Sequence, residues 1–245
     1  MSVTRSASGP LATALAVLAA GRLAGHVGPA ATWLPAVRRL TPGLAGRGDA
    51  GHVAITFDDG PSPRRTPRFL AALDQLDVRA TFFVLGEQLA RHRRVVELTV
   101  EAGHEIAVHG WRHGYLLGRS LRRVEAELER TASLVAEVSG QWPRWFRPPY
   151  GVLTGEGALA ARRLGMRPVL WTAWARDWTR SATKLSIVDT VRPGITGGAT
   201  LLLHDAGPSG PSAWGDATLA ALPQIVGEVR RAGLVPGPLC EHGVR

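Results

Sequence analysis

The chain has one cysteine, Cys240, and one lysine, Lys184, in 245 residues. A single cysteine excludes an intramolecular disulfide and any cluster of thiolate metal ligands. It leaves both sides of a membrane open as locations, because a chain this long builds its core without disulfide staples. With lysine nearly absent, arginine carries the basic charge, and the net +9 invites a nucleic-acid reading. The distribution argues against it. Residues 1–50 hold five Arg and one Asp, the rest of the chain 24 basic and 19 acidic side chains, and no nucleic-acid-binding motif accompanies them. The charge fits a mild affinity for anionic polymers or a membrane surface. No glycine-rich phosphate loop follows the first strand-like run, which sets a nucleotide fold aside.

The apolar run Leu11–Ala20 is too short to span a bilayer. Its length suits a signal-peptide core with a small-residue exit near Ala19–Ala20. Export to the extracellular space or cell envelope is therefore expected, the alternative being an amphipathic leader packed on the domain. Residues 1–50 read as a leader ending in a Pro/Gly-rich linker, and 51–245 as one domain.

From residue 52 strand and helix signals alternate. HVAITFD (52–58) reads as a strand, and TPRFLAALDQL (66–76) as a helix capped by Thr66 with Pro67 at its first position. A strand at 80–86, a single helix at 87–103 and a strand at 104–109 follow. Next come a helix at 120–140, strands at 145–147 and 167–173 with a helix between them, a strand at 199–204 and a helix at 216–233. About seven βα repeats imply a mainly parallel sheet, and at this length a closed or nearly closed barrel, an α/β (β/α)7 TIM-like architecture.

Polar side chains gather at the strand ends. Asp58 and Asp59 end the first strand, His109 the third and Arg147 the fourth; Asp177 follows the fifth and His204 ends the sixth. In a βα barrel those ends converge on one mouth. His109 and His113 stand four apart, a spacing that puts both rings on one side of a helical turn. With a carboxylate they form a two-nitrogen, one-oxygen set suited to Zn²⁺, and Co²⁺ or Mn²⁺ fit similar ligands. A cation there also removes the repulsion between the adjacent acids Asp58 and Asp59.

The stretches TFDDG (56–60), HGWRH (109–113), RPPYG (147–151), ARDW (175–178) and LLLHD (201–205) resemble, in order and spacing, the polysaccharide deacetylases, metal-dependent carbohydrate esterases with a NodB-homology domain. The resemblance covers roughly residues 52–240. It implies a distorted (β/α)7 barrel that removes N-acetyl groups from an amino-sugar polymer such as peptidoglycan or a chitin-like chain. By that likeness Asp59, His109 and His113 bind the metal, Asp58 is the general base and His204 the general acid. Arg147 holds Asp58, and Asp177 orients His204. One position departs from the pattern: Gly110 stands where the family usually has Ser or Thr, which puts the rigidity of the His109–His113 loop in question.

The chemistry follows from the residue types. A metal lowers the pKa of water and polarises the acetyl oxygen, an ionised Asp58 takes the water's proton, and a charged His204 returns one to the leaving nitrogen. Eight Trp stand against two Tyr, and flat rings with a polar edge suit sugar faces. Tyr150 and Trp178 are expected in the substrate groove, Leu202 against the acetyl methyl, and Trp171 as barrel filling. Two other readings use the same barrel: a catalytically weak glycan-binding protein, and an amide hydrolase of a small non-sugar substrate. A monomer is expected, with association to membrane or wall through the N-terminus.

Overall fold

The computed structural model describes residues 20–207 and 215–244, so most of the apolar N-terminal run expected as a signal-peptide core lies outside the described residues. Eight strands, all paired in parallel, form one curled sheet: β1 His52–Asp58, β2 Thr81–Val84, β3 Glu105–Val108, β4 Trp145–Phe146, β5 Arg167–Pro168, β6 Ala173–Trp174, β7 Ala199–His204 and β8 Val235–Gly237. The order is β5-β4-β3-β2-β1-β7-β6, with β8 beside the start of β1. A short helix, Pro35–Arg39, precedes β1, and the helices after it are α1 Thr66–Gln75, α2 Gly86–Arg91, α3 Arg93–Glu101, α4 Leu121–Ser139, α5 Gly155–Arg163, α6 Lys184–Val191 and α7 Asp216–Arg231.

The two faces of each strand have different neighbours because successive side chains alternate. Val53, Ile55 and Phe57 of β1 join Phe82 and Val84 of β2, Ile106 and Val108 of β3, and Leu201 and Leu203 of β7 in the main core, packed against Phe69 and Leu73 of α1 and Leu222, Ile225 and Val226 of α7. Each large apolar side chain buried there contributes about 1.5–3 kcal/mol. The inner face carries Ala54, Phe83, Ala107 and Trp145, a smaller second cluster. Continuing that inner register places Thr56 and Asp58 on β1, and Thr200, Leu202 and His204 on β7, inside the curl.

Four expectations change. The single strand 167–173 is two short ones, β5 and β6, at opposite ends of the sheet. Between them the Leu170 N–H bonds the Leu44 carbonyl (2.7 Å), and no strand pairing joins β5 to β6 among the described residues. The helix 87–103 breaks at His92 (φ −129°, ψ 40°) into α2 and α3. Thr66 is the first helical residue rather than the cap; its hydroxyl bonds Asp205 and leaves the helix N-terminus without a side-chain cap. The His109–His113 segment is a series of bends, not a helical turn. The stretch before β1 lies on the barrel, with Gly48 N–H to the Gly198 carbonyl (3.1 Å) and Thr200 Oγ1 to the Gly46 carbonyl (2.6 Å).

Candidate active site

Asp58 enters the barrel mouth on the inner register of β1. Asp59 follows with φ 77°, a left-handed conformation that Asp tolerates better than most residues. His109 comes directly after β3, and the bends behind it bring the His109 and His113 rings to 5.3 Å between centroids. The loop is tied down: Gly86 and Glu87, opening α2, donate N–H bonds of 2.9 Å to the carbonyls of Gly110 and Trp111. Gly110 has φ 96°, a backbone state that suits glycine, so the missing hydroxyl does not leave the loop untethered. Trp111 is turned away from the mouth, under the Arg130 guanidinium at 3.6 Å.

Asp59 Oδ1 lies 3.4 Å from His109 Nε2 and 3.3 Å from His113 Nε2. This oxygen is buried and accepts no hydrogen bond. Burial works against ionisation of Asp59, yet the imidazoles of His109, His204 and His113 outweigh it and hold the carboxyl below its usual range. His109 Nδ1 donates to the Arg147 carbonyl (2.8 Å), which fixes the tautomer and turns the Nε2 lone pair inward. Burial brings His113 down to about 4, so its ring stays neutral and able to ligate. An orphaned oxygen and two nitrogens converge as a divalent ion requires: a tetrahedral Zn²⁺ with ligands at about 2.0–2.1 Å separates them by about 3.4 Å. The residues present fit a metal ion.

Asp58 stands beside this set without joining it, its Oδ2 3.8 Å from His109 Nε2. Its other oxygen accepts from Arg147 Nη1 at 2.6 Å. Arg147 is fully buried and fully engaged: Nη1 also donates to Thr56 Oγ1 (2.8 Å), Nη2 to the Leu170 carbonyl (2.8 Å), and the guanidinium covers Phe83 at 3.9 Å. Burial lowers the Arg147 pKa, and Asp58 opposes that.

Across the mouth, His204 Nδ1 donates to Asp177 Oδ1 (2.8 Å), while the other Asp177 oxygen accepts from the His204 N–H (2.8 Å) and Thr218 Oγ1 (2.9 Å). Three donors lock one carboxylate, and the carboxylate locks the ring. Burial opposes a charge on His204, but Asp177 prevails, helped by Asp59 and Asp58, and raises it to about 10.

A cavity of about 460 Å³ opens over these groups. Every site residue expected from the sequence lines it except Arg147, which sits behind Asp58. Tyr150, held at φ 59°, stacks on Tyr115 (4.2 Å) and sets its ring edge-on to His113 (4.2 Å). Trp178 meets the His204 ring at 5.5 Å, and Trp174 and Trp171 continue the wall. Leu202 forms part of the floor; Trp171, expected as filling, reaches the cavity as well.

Two further residues bear on the site without a signal of their own in the sequence. Tyr115 carries none by spacing. Asp205 follows His204 within LLLHD, where no spacing singles it out. It is buried, accepts from Thr66 Oγ1 and packs so close to Gly60 that a Cβ there would lie 2.7 Å from its oxygens.

The polysaccharide deacetylase family model matches residues 45–169. The peptidoglycan-N-acetylglucosamine deacetylase PgdA of Listeria monocytogenes is 34% identical over 153 residues, 62% of this chain and 32% of PgdA, so the match spans about a third of that relative. The chitooligosaccharide deacetylase of a Bradyrhizobium strain is 34% identical over 194 residues, 76% of this chain and 88% of that protein. Among solved structures, the Bc1960 peptidoglycan N-acetylglucosamine deacetylase superposes with a TM-score of 0.75 at 27% identity, covering 82% of this chain and 92% of that one. The matched segment begins just before β1 and takes in Asp58, Asp59, His109, His113 and Arg147. With sequence and fold in agreement, the chain belongs to the polysaccharide deacetylase family.

Proposed function

We propose that this protein is a metal-dependent hydrolase that removes N-acetyl groups from an amino-sugar polysaccharide, peptidoglycan or a chitin-like chain, at the cell envelope. The carrying observation is the division of labour between adjacent acids: Asp59 faces two imidazoles, while Asp58 faces an arginine.

Asp59, His109 and His113 would hold the ion, with Zn²⁺ the best fit to the donor set. Bound there, a divalent ion supplies a Lewis acid that polarises the acetyl oxygen and acidifies water. Asp58 removes the proton from the attacking water; the buried Arg147 donates to its other oxygen and fixes its orientation. His204 arrives protonated because Asp177 stabilises the imidazolium, and its Nε2 delivers a proton to the departing sugar nitrogen. The aromatic wall from Tyr115 to Trp178 gives sugar rings flat faces with polar edges, and Leu202 offers the acetyl methyl an apolar contact.

The test is acetate release from peptidoglycan, chitin oligomers and xylan, measured with chelator and after Zn²⁺ or Co²⁺ is restored. Release from an amino-sugar polymer that stops with chelator and returns with metal is expected. Release indifferent to chelator would contradict the mechanism, and release from xylan alone would contradict the substrate.

A further inference from the structure

A second cavity, about 540 Å³, shares Trp171 and Trp174 with the first, and neither Asp58 nor Asp59 lines it. Arg38, Arg39 and Arg47 line it, together with Trp171, Trp174 and Pro193, and no acidic side chain does. Arg38 is built into the fold: Nε donates to the Thr32 carbonyl and Nη1 to the Trp171 carbonyl, both at 3.0 Å, and its guanidinium lies 4.8 Å over the Trp171 ring. Its burial and the charge of Arg147 lower its pKa, as expected where positive charge has been concentrated. Arg39 and Arg47 are exposed, and among the described residues neither has an acid within ion-pair distance.

The surroundings are apolar. Leu34 is 52% exposed and Leu40 81%, and both flank the short helix Pro35–Arg39 that carries two of the arginines. The five-residue helix between them is about 7.5 Å long, so both leucines stand within a helix length of Arg38 and Arg39. Leu23 and Val27, earlier in the same segment, are exposed too. Sugar hydroxyls gain nothing from bare leucines. A phospholipid surface satisfies both halves, with anionic phosphates for the guanidinium forks and acyl chains for the leucines. The apolar run Leu11–Ala20 enters this segment from its N-terminal side.

We infer that the cavity lined by Arg38, Arg39 and Arg47, together with the exposed Leu34 and Leu40 that flank the helix carrying two of these arginines, is a docking surface for an anionic phospholipid membrane. It seats the barrel on a bilayer through a cavity that neither catalytic acid lines. The role is separate from deacetylation, because neither Arg39 nor Arg47 reaches the catalytic cavity.

The full chain is floated with vesicles of phosphatidylcholine alone, and of phosphatidylcholine mixed with phosphatidylglycerol, beside the double variant Arg39→Glu/Arg47→Glu and the single variant Leu40→Asp. These side chains are exposed, and a thermal melt checks that each variant folds. Wild-type protein is expected to bind the phosphatidylglycerol vesicles, and the double variant to lose at least about tenfold in affinity, since each basic residue at such a surface counts separately. Leu40→Asp is expected to weaken binding without changing its dependence on lipid charge. Equal binding of wild type and double variant, or equal binding to both vesicle types, overturns the proposal by assigning attachment to the apolar run alone. Binding to neither vesicle overturns it as well. Displacement from vesicles by inorganic phosphate at constant ionic strength would make this a free-phosphate site and also overturn the proposal.

Discussion

Arg147 Nη1 stands 2.6 Å from Asp58 Oδ1, and the two side chains are 0% and 3% exposed. An ion pair so far from water costs desolvation on both sides and persists because every remaining polar group is matched. Here Thr56, Val169 and Leu170 accept what Asp58 does not. Removing one partner leaves the other charge stranded. Arg147→Met is therefore expected to cost about 3–5 kcal/mol in a denaturant melt, enough to threaten folding of a domain of ordinary stability.

Asp58→Asn keeps the shape and removes the base. Metal affinity by calorimetry should stay near wild type, because Asp58 is not in the Asp59–His109–His113 set. Acetate release should fall at least about a hundredfold. A variant that loses metal binding instead would make Asp58 a ligand and undo the division between the two acids.

The His204–Asp177 pair gives a pH prediction. The folded-state pKa of His204, about 10, lies above its ordinary 6.5. The stability this pair contributes is therefore complete below 6.5 and is lost as pH rises through about 10. In the metal-free protein, NMR titration of the His204 ring should show the raised value. Asp177→Asn should bring it down by at least about one unit and move the alkaline limb of the pH–rate profile toward neutrality. A ring that titrates unchanged in the variant would mean that Asp177 only caps the His204 N–H and Thr218.

What could be read from the sequence, and what could not, follows from the range of the interactions. The end of the first strand-like run placed Asp58 and Asp59 at the barrel mouth, whereas the inward place of Thr56 beside Arg147 came only with the fold. The strand ends and their motifs placed His109, Arg147 and His204 in the same way. The break at His92 depends on backbone angles that no residue type there demands. The split of 167–173 into β5 and β6 depends on Leu44, more than a hundred residues away, taking the Leu170 N–H that a continuous strand would have paired. Thr66 misled for a related reason: its capping hydroxyl found Asp205, across the chain, instead of its own helix. Local rules read local structure, and tertiary partners override them.

Asp205 itself is testable. Burial raises its carboxyl to about 7; the Thr66 hydrogen bond works against this, and the Asp59 charge adds to it. A carboxyl raised in the fold has the opposite sign from His204. It costs nothing below its ordinary 3.8, and the penalty for ionising it grows with pH and is complete above about 7. Asp205→Asn keeps an acceptor for Thr66 and removes the charge. The metal-free variant should therefore melt higher than wild type at pH 8, by at least about 1 kcal/mol, and match it near pH 4. Equal melting curves at both pH values would show that the buried carboxylate is ionised at no cost, and would point to an unseen cationic partner.

Gly110 offers the last prediction, because its local geometry separates two causes that usually act together. A Cβ built on Gly110 meets its nearest neighbours, the Arg112 carbonyl and Pro149, at 3.6–3.8 Å, which is ordinary contact. Space is therefore no obstacle to Ser, the residue type usual in the family. The obstacle is φ 96°, where a side chain costs about 1–2 kcal/mol relative to glycine. Gly110→Ser should lose about that much in a melt if the backbone holds its angle. The two N–H bonds from Gly86 and Glu87 would then keep His109 and His113 in place, and metal affinity should change by less than about tenfold. If the loop instead relaxes to negative φ, stability recovers while the carbonyl of Gly110 swings away from Gly86, and metal affinity falls because the two rings no longer meet Asp59 together. A melt and a metal titration on this one variant decide whether backbone angle or tether sets the geometry of the ligand pair.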